Sequence, residues 1–228
     1  MWQELREELH PKGLEVVTVA LDLKGVETAG RWIEAASPRH PSLIDREHRV
    51  DELFGIVNVP SGVWIDESGT IVRPAEPAFP KRAAFRDAPL PADLDPYLAE
   101  VLREARKIRV EPEKYVAALA DWVEHGAGSR YALAPDEVMR RSGERGGDRS
   151  RAAAHFELAQ HLWRDGREAE AVPHFREARR LQPDNWTYKR QAWVLVSRFQ
   201  APSDVMEGDW LSDVRAIGAE NYYPRLDM

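Results

Sequence analysis

The side chains that most often carry out catalysis are absent or isolated in this sequence. Its 228 residues contain no cysteine, so the chain has no disulfide, no thiolate metal ligand and no cysteine nucleophile. Ser61 follows Pro60 without an adjacent base that could activate it, and no Gly-x-Ser-x-Gly pattern is present. No glycine-rich phosphate-binding loop precedes a helix. The residues alone therefore predict no catalytic group.

The seven histidines lack the spacing of metal ligands. None forms a His-x-x-x-His pair or stands beside a carboxylate at ligand spacing, so we predict no metal site and no cofactor. We interpret His155 and His161 as surface residues. Asp45, Asp66 and Glu67 could act as paired carboxylates, but all three lie in predicted turns, where aspartate forms local hydrogen bonds.

Composition excludes several classes of protein. The chain has 32 Lys+Arg against 39 Asp+Glu, a net charge of −7, which argues against a nucleic-acid-binding face. No apolar stretch approaches the roughly 18–20 residues that span a bilayer, and the first residues do not resemble a signal peptide. We therefore predict a protein with no membrane span, located in the cytoplasm.

Residues 1–76 alternate helical and strand patterns. The helical periodicity and its stop signals predict helices from the start to His10, over 26–36 and from His48 to Phe54, with Val50, Leu53 and Phe54 facing inward in the last of them. The β-branched, apolar run 14–21 predicts a strand buried on both faces. Segments 62–66 and 70–73 flank a glycine-containing turn and predict a hairpin. The order predicts an α/β layer.

The rest of the chain is predicted to be helical. Residues 77–149 begin as a proline-rich linker and continue with a helix capped by Asp95–Pro96, a helix from Pro112 and a short helix after Pro135. Residues 150–228 are mostly helical. We therefore predict three segments, with boundaries at 76/77 and 149/150.

A tetratricopeptide-repeat (TPR) pattern lies within the last segment. Its small residues suit a close helix crossing, its larger apolar residues fill the space between the helices, and its glycine allows the turn. The matching residues are Leu158, Ala159, Leu162, Gly166, Ala171, Phe175, Ala178 and Pro183.

Two interpretations of this TPR-like region stay open: a peptide-binding groove, or a small helical lid on the α/β domain. Helices over 112–125 and 136–141 could form a preceding layer, and 186–199 a following helix. The aromatic residues near the end are predicted to pack in a core, while Arg179–Arg180 and Lys189–Arg190 are predicted to be solvated helix faces.

Residues 2–76 resemble the thioredoxin fold, specifically the TlpA/ResA-like group and its alkyl-hydroperoxide-reductase (AhpC/TSA) relatives. The resemblance rests on these segments in this order: Trp2–Leu5, Lys12–Val19, Pro41–Asp45, Leu53–Pro60 and the hairpin Val63–Val72. It implies that the Val59–Pro60 bond is cis and that the backbone of Val59 can pair with an extended peptide. Val59 and Pro60 are thus the expected substrate-groove residues.

The departure from this family is as informative as the match. In the family, a strand and a Cys-x-x-Cys turn come directly before the helix that begins here at Trp2. That strand lies in the middle of the sheet, so its loss leaves two strands with unpaired backbone groups. We hypothesise that Met1 is an internal methionine mistaken for a start. One route would be a selenocysteine codon read as stop, which would place the redox centre just upstream of Met1 and make the whole protein a selenoprotein.

The expected fold class is therefore an N-terminally truncated thioredoxin-like α/β domain (1–76), a linker and helical insert (77–149) and an all-α TPR-like region (150–228). The expected function is that of a thiol or selenol oxidoreductase lineage whose redox centre is absent from this chain, which is inert as it stands. The alternative is a non-catalytic TPR-type interaction module. The expected partner is a protein or a peptide substrate.

Overall fold

The structure is a computed structural model that describes residues 1–228, apart from the side chain of Arg198. The chain forms two compact units. Unit 1 comprises residues 1–81, 111–145 and 226–228, and unit 2 comprises 82–110 and 146–225. Both units are discontinuous in sequence, whereas the three predicted segments are continuous.

The protein has mixed α/β structure, with ten α-helices and four strands in the described part of the chain. In chain order the elements are α1 Trp2–Leu9, β1 Thr18–Leu21, α2 Val26–Ala36, β2 Ser42–Asp45, α3 Arg49–Phe54, β3 Ser61–Ile65, β4 Ile71–Pro77, α4 Pro96–Lys107, α5 Pro112–His125, α6 Pro135–Ser142, α7 Gly147–Arg164, α8 Glu168–Leu181, α9 Trp186–Val196 and α10 Trp210–Ile217.

Several element boundaries follow directly from local signals. Helix α2 has the predicted bounds and ends where Ser37 adopts a left-handed backbone (φ 43°) ahead of Pro38. The predicted hairpin is also confirmed. At its turn a carboxylate oxygen of Asp66 accepts the backbone N–H of Ser68 and of Thr70, each at 2.9 Å. Gly69 takes the left-handed position of that turn, with φ 83°.

The strands of unit 1 form two separate sheets of two strands each. β1 and β2 are parallel, whereas β3 and β4 are antiparallel. The prediction of a long strand over 14–21 buried on both faces is wrong. The strand begins only at Thr18, its residues are half-buried, and Val17 before it is 55% exposed. With one neighbouring strand instead of two, β1 has less surface to bury.

Helix α3 differs from its predicted orientation. Leu53, expected to face inward, is 75% exposed, while Asp51 is only 1% exposed. The Asp51 carboxylate lies 2.9 Å from Nδ1 of His48, and the other carboxylate oxygen has no hydrogen-bond partner among the described atoms. A six-residue helix has too few turns for apolar periodicity to fix its orientation, so the hydrogen-bonded His48–Asp51 pair faces inward instead.

The core of unit 1 lies between α1, the β3–β4 hairpin and α5. Its buried members are Leu5, Leu9, Trp64, Ala78, Tyr115, Ala118, Leu119 and Leu226. Nε1 of Trp64 donates to the Tyr115 hydroxyl at 3.1 Å. Burial raises the pKa of that hydroxyl to about 12. Helices α5 and α6 belong to unit 1, so the interpretation that they form a layer before the TPR-like hairpin is wrong.

Arg73 is the most polar group in this core, with 1% of its surface exposed. Its guanidinium donates to the Glu76 carboxylate at 2.6 and 3.2 Å, to the Tyr131 carbonyl at 2.9 Å and to the Asp227 carbonyl at 2.7 Å. It also lies 5.4 Å from the ring centroid of Trp64. One charged side chain thus joins β4 to the chain before α6 and to the last residues of the protein.

In unit 2, α7 and α8 form a tightly packed helical hairpin. Ala159, Ala171 and Ala178 are at most 1% exposed, as a close helix crossing requires. Leu158 does not fill the space between the helices, because it is 41% exposed. Phe156, two residues earlier, takes that place: its ring lies 5.7 Å from Phe175. Ala159 and Leu162 on the same helix are buried, so on α7 the difference from the motif is confined to Leu158.

The aromatic residues near the end of the chain are buried, as predicted. Trp186, Trp193, Trp210, Tyr222 and Tyr223 are each 2–8% exposed.

The charged residues beside them differ from the prediction of two solvated faces. Lys189 is 6% exposed and Arg179 is half-buried. Nζ of Lys189 lies 3.7 Å from the Trp186 ring centroid and 3.1 Å from an oxygen of Asp213. Aromatic rings and one carboxylate allow these cations to be buried.

The Arg73 contacts predict a strong effect on stability. We expect Arg73→Met to lower the free energy of unfolding by about 3–5 kcal/mol, because Glu76 is left as an uncompensated, mostly buried charge. The double variant Arg73→Met/Glu76→Leu should recover most of that loss. Arg140→Met, which removes an exposed partner of Glu137, is the control and should cost about 1 kcal/mol or less. Urea unfolding measures all three, and an equal loss in Arg73→Met and Arg140→Met would contradict this account.

The hairpin of unit 2 gives a second prediction. Phe156→Ala should destabilise the protein by about 3–5 kcal/mol, because it leaves a cavity between Phe175 and the ring of Tyr188, which is 4.0 Å away. Leu158→Ala should cost less than about 1 kcal/mol. Thermal unfolding of the two variants measures the difference. A larger effect at Leu158 than at Phe156 would show that Leu158 fills the space between the helices, as the motif predicts.

Candidate functional site

Unit 1 has an open cleft with a volume of about 310 Å³. One wall is formed by the residues that lead into β1, and the other by the end of β3 and the hairpin turn. The walls are Lys12–Glu15 and Ile65–Glu67, and Val72, Trp122, Val123, Gly126 and Ala127 complete the lining. The segment before β1 and the end of β3 therefore both line this cleft.

Two strands near these lining segments, β1 and β3, each have an open edge. On β1, the N–H of Thr18 donates to the Pro41 carbonyl at 3.0 Å, and that of Asp22 donates to the Asp45 carbonyl at 3.1 Å. Even-numbered residues therefore point to β2, and the amides of Val19 and Leu21 point away from it. In the described part of the chain, no backbone hydrogen bond reaches these two residues from that side.

Strand β3 is likewise paired on one side only, with β4. The strand therefore has one edge to which a further extended segment could bond.

Charged groups are placed along one wall of the cleft. The guanidinium of Arg6 on α1 donates to the two oxygens of Glu15 at 2.6 and 2.9 Å. This pairing lowers the pKa of Glu15 to about 2. Glu15 therefore stays ionised at neutral pH, and its contact with Arg6 holds the segment before β1 against α1.

The predicted substrate-groove residues lie at the other end of β3. The Val59–Pro60 bond is cis. The amide of Val59 donates to Oδ1 of Asn58 at 2.9 Å, and the hydroxyl of Ser61 donates to the Asn58 carbonyl at 2.7 Å. The Pro60 carbonyl accepts the N–H of Ala78 at 3.2 Å. Neither Val59 nor Pro60 lines the cleft, so the two features occupy opposite ends of one strand.

The TPR-motif residues are brought together in the α7–α8 hairpin of unit 2. Ala159, Leu162, Ala171, Phe175 and Ala178 are buried in it. Gly166 forms the turn with φ 75°, in line with its predicted role. Pro183 follows α8 and is exposed, as is Leu158.

The hairpin also brings together two histidines that the sequence analysis had treated separately. Nδ1 of His155 on α7 lies 2.9 Å from Nδ1 of His174 on α8, and both side chains are half-buried. A signal was present in the sequence: each histidine directly precedes a phenylalanine, and Phe156 and Phe175 pair across the hairpin. The contact between the two histidines was not predicted, because 19 positions along the chain separate them.

The carboxylates considered above have local roles. Asp45 accepts the N–H of Glu47 at 3.0 Å and that of Val50 at 2.7 Å, and Asp66 stabilises the hairpin turn. Among the described residues, no three or more His, Asp or Glu side chains are grouped so as to hold a metal ion. Nor do the described residues include a helix with the length and hydropathy that crossing a membrane requires.

Comparisons of the chain with protein-family models, with curated proteins and with solved structures find no match.

Proposed function

We propose that unit 1 is a thioredoxin-like α/β domain of a thiol or selenol redox lineage, and that these 228 residues bind an extended polypeptide segment without carrying out a redox step. The observation that carries the proposal is the pair of open strand edges on β1 and β3. The segment before β1 and the end of β3 line one cleft. The bound polypeptide segment would be the middle strand of a five-stranded sheet.

Sheet geometry sets a requirement for this binding mode. Neighbouring strands lie about 4.7–4.9 Å apart, so two strands that share a middle neighbour lie roughly 9.5 Å from each other. Main-chain hydrogen bonds would provide much of the affinity, and the apolar lining from Val72, Trp122 and Val123 would contact alternate side chains of the segment. The redox chemistry of the lineage would have to come from groups outside these residues, since thiol exchange requires a thiolate.

Hydrogen exchange tests the open edge of β1. We expect the amides of Val19 and Leu21 to exchange much faster than those of Thr18 and Ala20, because only the latter two are bonded within the β1–β2 ladder. NMR-detected exchange on the full chain measures this alternation. Uniform protection along β1 would show that a neighbouring strand already covers the edge, which would contradict the proposal.

A gain-of-function variant tests the redox lineage. The chain itself should neither reduce insulin nor consume peroxide above the buffer rate. Adding a β-strand and a Cys-x-x-Cys turn directly before Trp2 should confer thiol reductase activity, because the first thiol would lie at the N-terminus of α1, where the thiolate is stabilised. It should also protect the amides of Val19 and Leu21.

The matched control for this variant carries Ser-x-x-Ser in the added turn. It should gain the same amide protection and remain inactive, which separates strand insertion from chemistry. Protection of β1 without any activity in the cysteine variant would contradict the thioredoxin lineage but leave strand binding intact. Activity of the unmodified chain would contradict the proposed absence of a redox step.

A TPR-type interaction module is the second candidate. It is favoured by the exposure of Leu158 on α7 and of Val194 on α9, at 41% and 48%, which gives unit 2 apolar contact points outside its core. Peptide-array binding by the full chain tests it. Leu158→Glu should reduce capture several-fold if the hairpin binds peptides, whereas Glu157→Gln at the neighbouring position should not.

A further inference from the structure

We propose that His155 and His174 form a two-histidine chelate for a divalent metal ion that favours tetragonal coordination, with Cu²⁺ as the test ion. The two Nδ1 atoms lie 2.9 Å apart on neighbouring helices of unit 2. Imidazole nitrogen is a good ligand for Cu²⁺, Ni²⁺ and Zn²⁺. The remaining positions on the metal would be filled by water.

The contact between the two rings is a hydrogen bond in which one Nδ1 donates its proton and the other accepts it, at 2.9 Å. A metal ion bound to both Nδ1 atoms would replace this proton and lie to one side of the line between them. The displaced proton would move through solvent to Nε2 of the same ring, so both imidazoles would remain neutral and no proton would be released from a neutral pair.

The distance between the two Nδ1 atoms indicates which coordination geometry the pair would suit. With metal–nitrogen bonds of about 2.0–2.1 Å, two ligands at a right angle are roughly 2.9 Å apart, whereas two ligands at a tetrahedral angle are about 3.3 Å apart. The observed separation therefore fits adjacent positions of a square-planar or octahedral ion. This favours Cu²⁺ or Ni²⁺ over tetrahedral Zn²⁺.

The helices that carry the two rings are well fixed. Phe156 and Phe175, the next residue on each helix, are 2% and 3% exposed and make an edge-on contact at 5.7 Å between centroids. The alanines around them allow the close approach of α7 and α8. A site on packed helices keeps its ligands in place without the ordering cost of a loop. The half-buried imidazoles remain accessible to an ion from solvent.

The charged groups next to the pair are compatible with a cation. Glu177 lies one helical turn after His174 and is paired with Arg180 at 2.7 Å. Arg151 lies one turn before His155 and is paired with Asp148 at 2.7 Å. Both arginines are therefore neutralised by a carboxylate of their own helix.

Titration of the full chain with Cu²⁺ tests the proposal, with calorimetry and electron paramagnetic resonance as readouts. We expect one equivalent to bind with nitrogen splitting from two imidazoles. His155→Gln and His174→Gln should each weaken binding at least tenfold, because the chelate becomes a single ligand. The matched control is His161→Gln, an exposed histidine of the same helix beside Asp165, which should leave the affinity unchanged.

The unmodified chain gives a readout that does not depend on the folding of a variant. Substoichiometric Cu²⁺ should broaden the imidazole NMR signals of His155 and His174 before those of any other histidine. Three results would each overturn the proposal: earlier broadening of other histidines, no binding at all, or an affinity of His155→Gln and His174→Gln equal to that of the unmodified chain. Failure of the metal-binding proposal would not contradict the strand-binding proposal for unit 1.

Discussion

The pairing of backbone N–H and C=O groups is the constraint on which the organisation of unit 1 depends. A strand that is buried on both sides needs a neighbour on both sides, since unpaired buried backbone groups are costly. β1 and β3 each have one neighbour, and the segment before β1 and the end of β3 line the same cleft. The strand predicted over 14–21 is accordingly short and half-buried.

Helices and side chains make many of the long-range contacts that a continuous sheet would otherwise make. Tyr115 on α5 reaches the hairpin through the Trp64 indole, and the guanidinium of Arg73 bonds to carbonyls far apart in sequence. The Arg6–Glu15 contact holds the segment before β1 against α1. These contacts therefore hold the elements of unit 1 together without a strand that joins the two sheets.

Sequence reasoning succeeded where a feature is determined by residues close together in the chain. The bounds of α2, the turn at Asp66–Gly69 and the cap of α4, where Asp95 accepts the N–H of Leu98 at 2.9 Å, each depend on a few consecutive side chains. It failed where orientation depends on packing. Leu53 and Leu158 are exposed although they were expected to pack inward, and Asp51 and Lys189 are buried.

The candidate sites show the same difference between features that depend on sequence order and features that depend on packing. That β1 and β3 would lack a common neighbour was predictable, because it concerns the order of elements along the chain. The cleft lining from α5 and the contact between His155 and His174 were not, because each needs two helices to be placed in space. In both units, the groups proposed to bind a ligand are held in place by a packed core: backbone amides on an open strand edge in unit 1, and two imidazoles that share a single proton in unit 2.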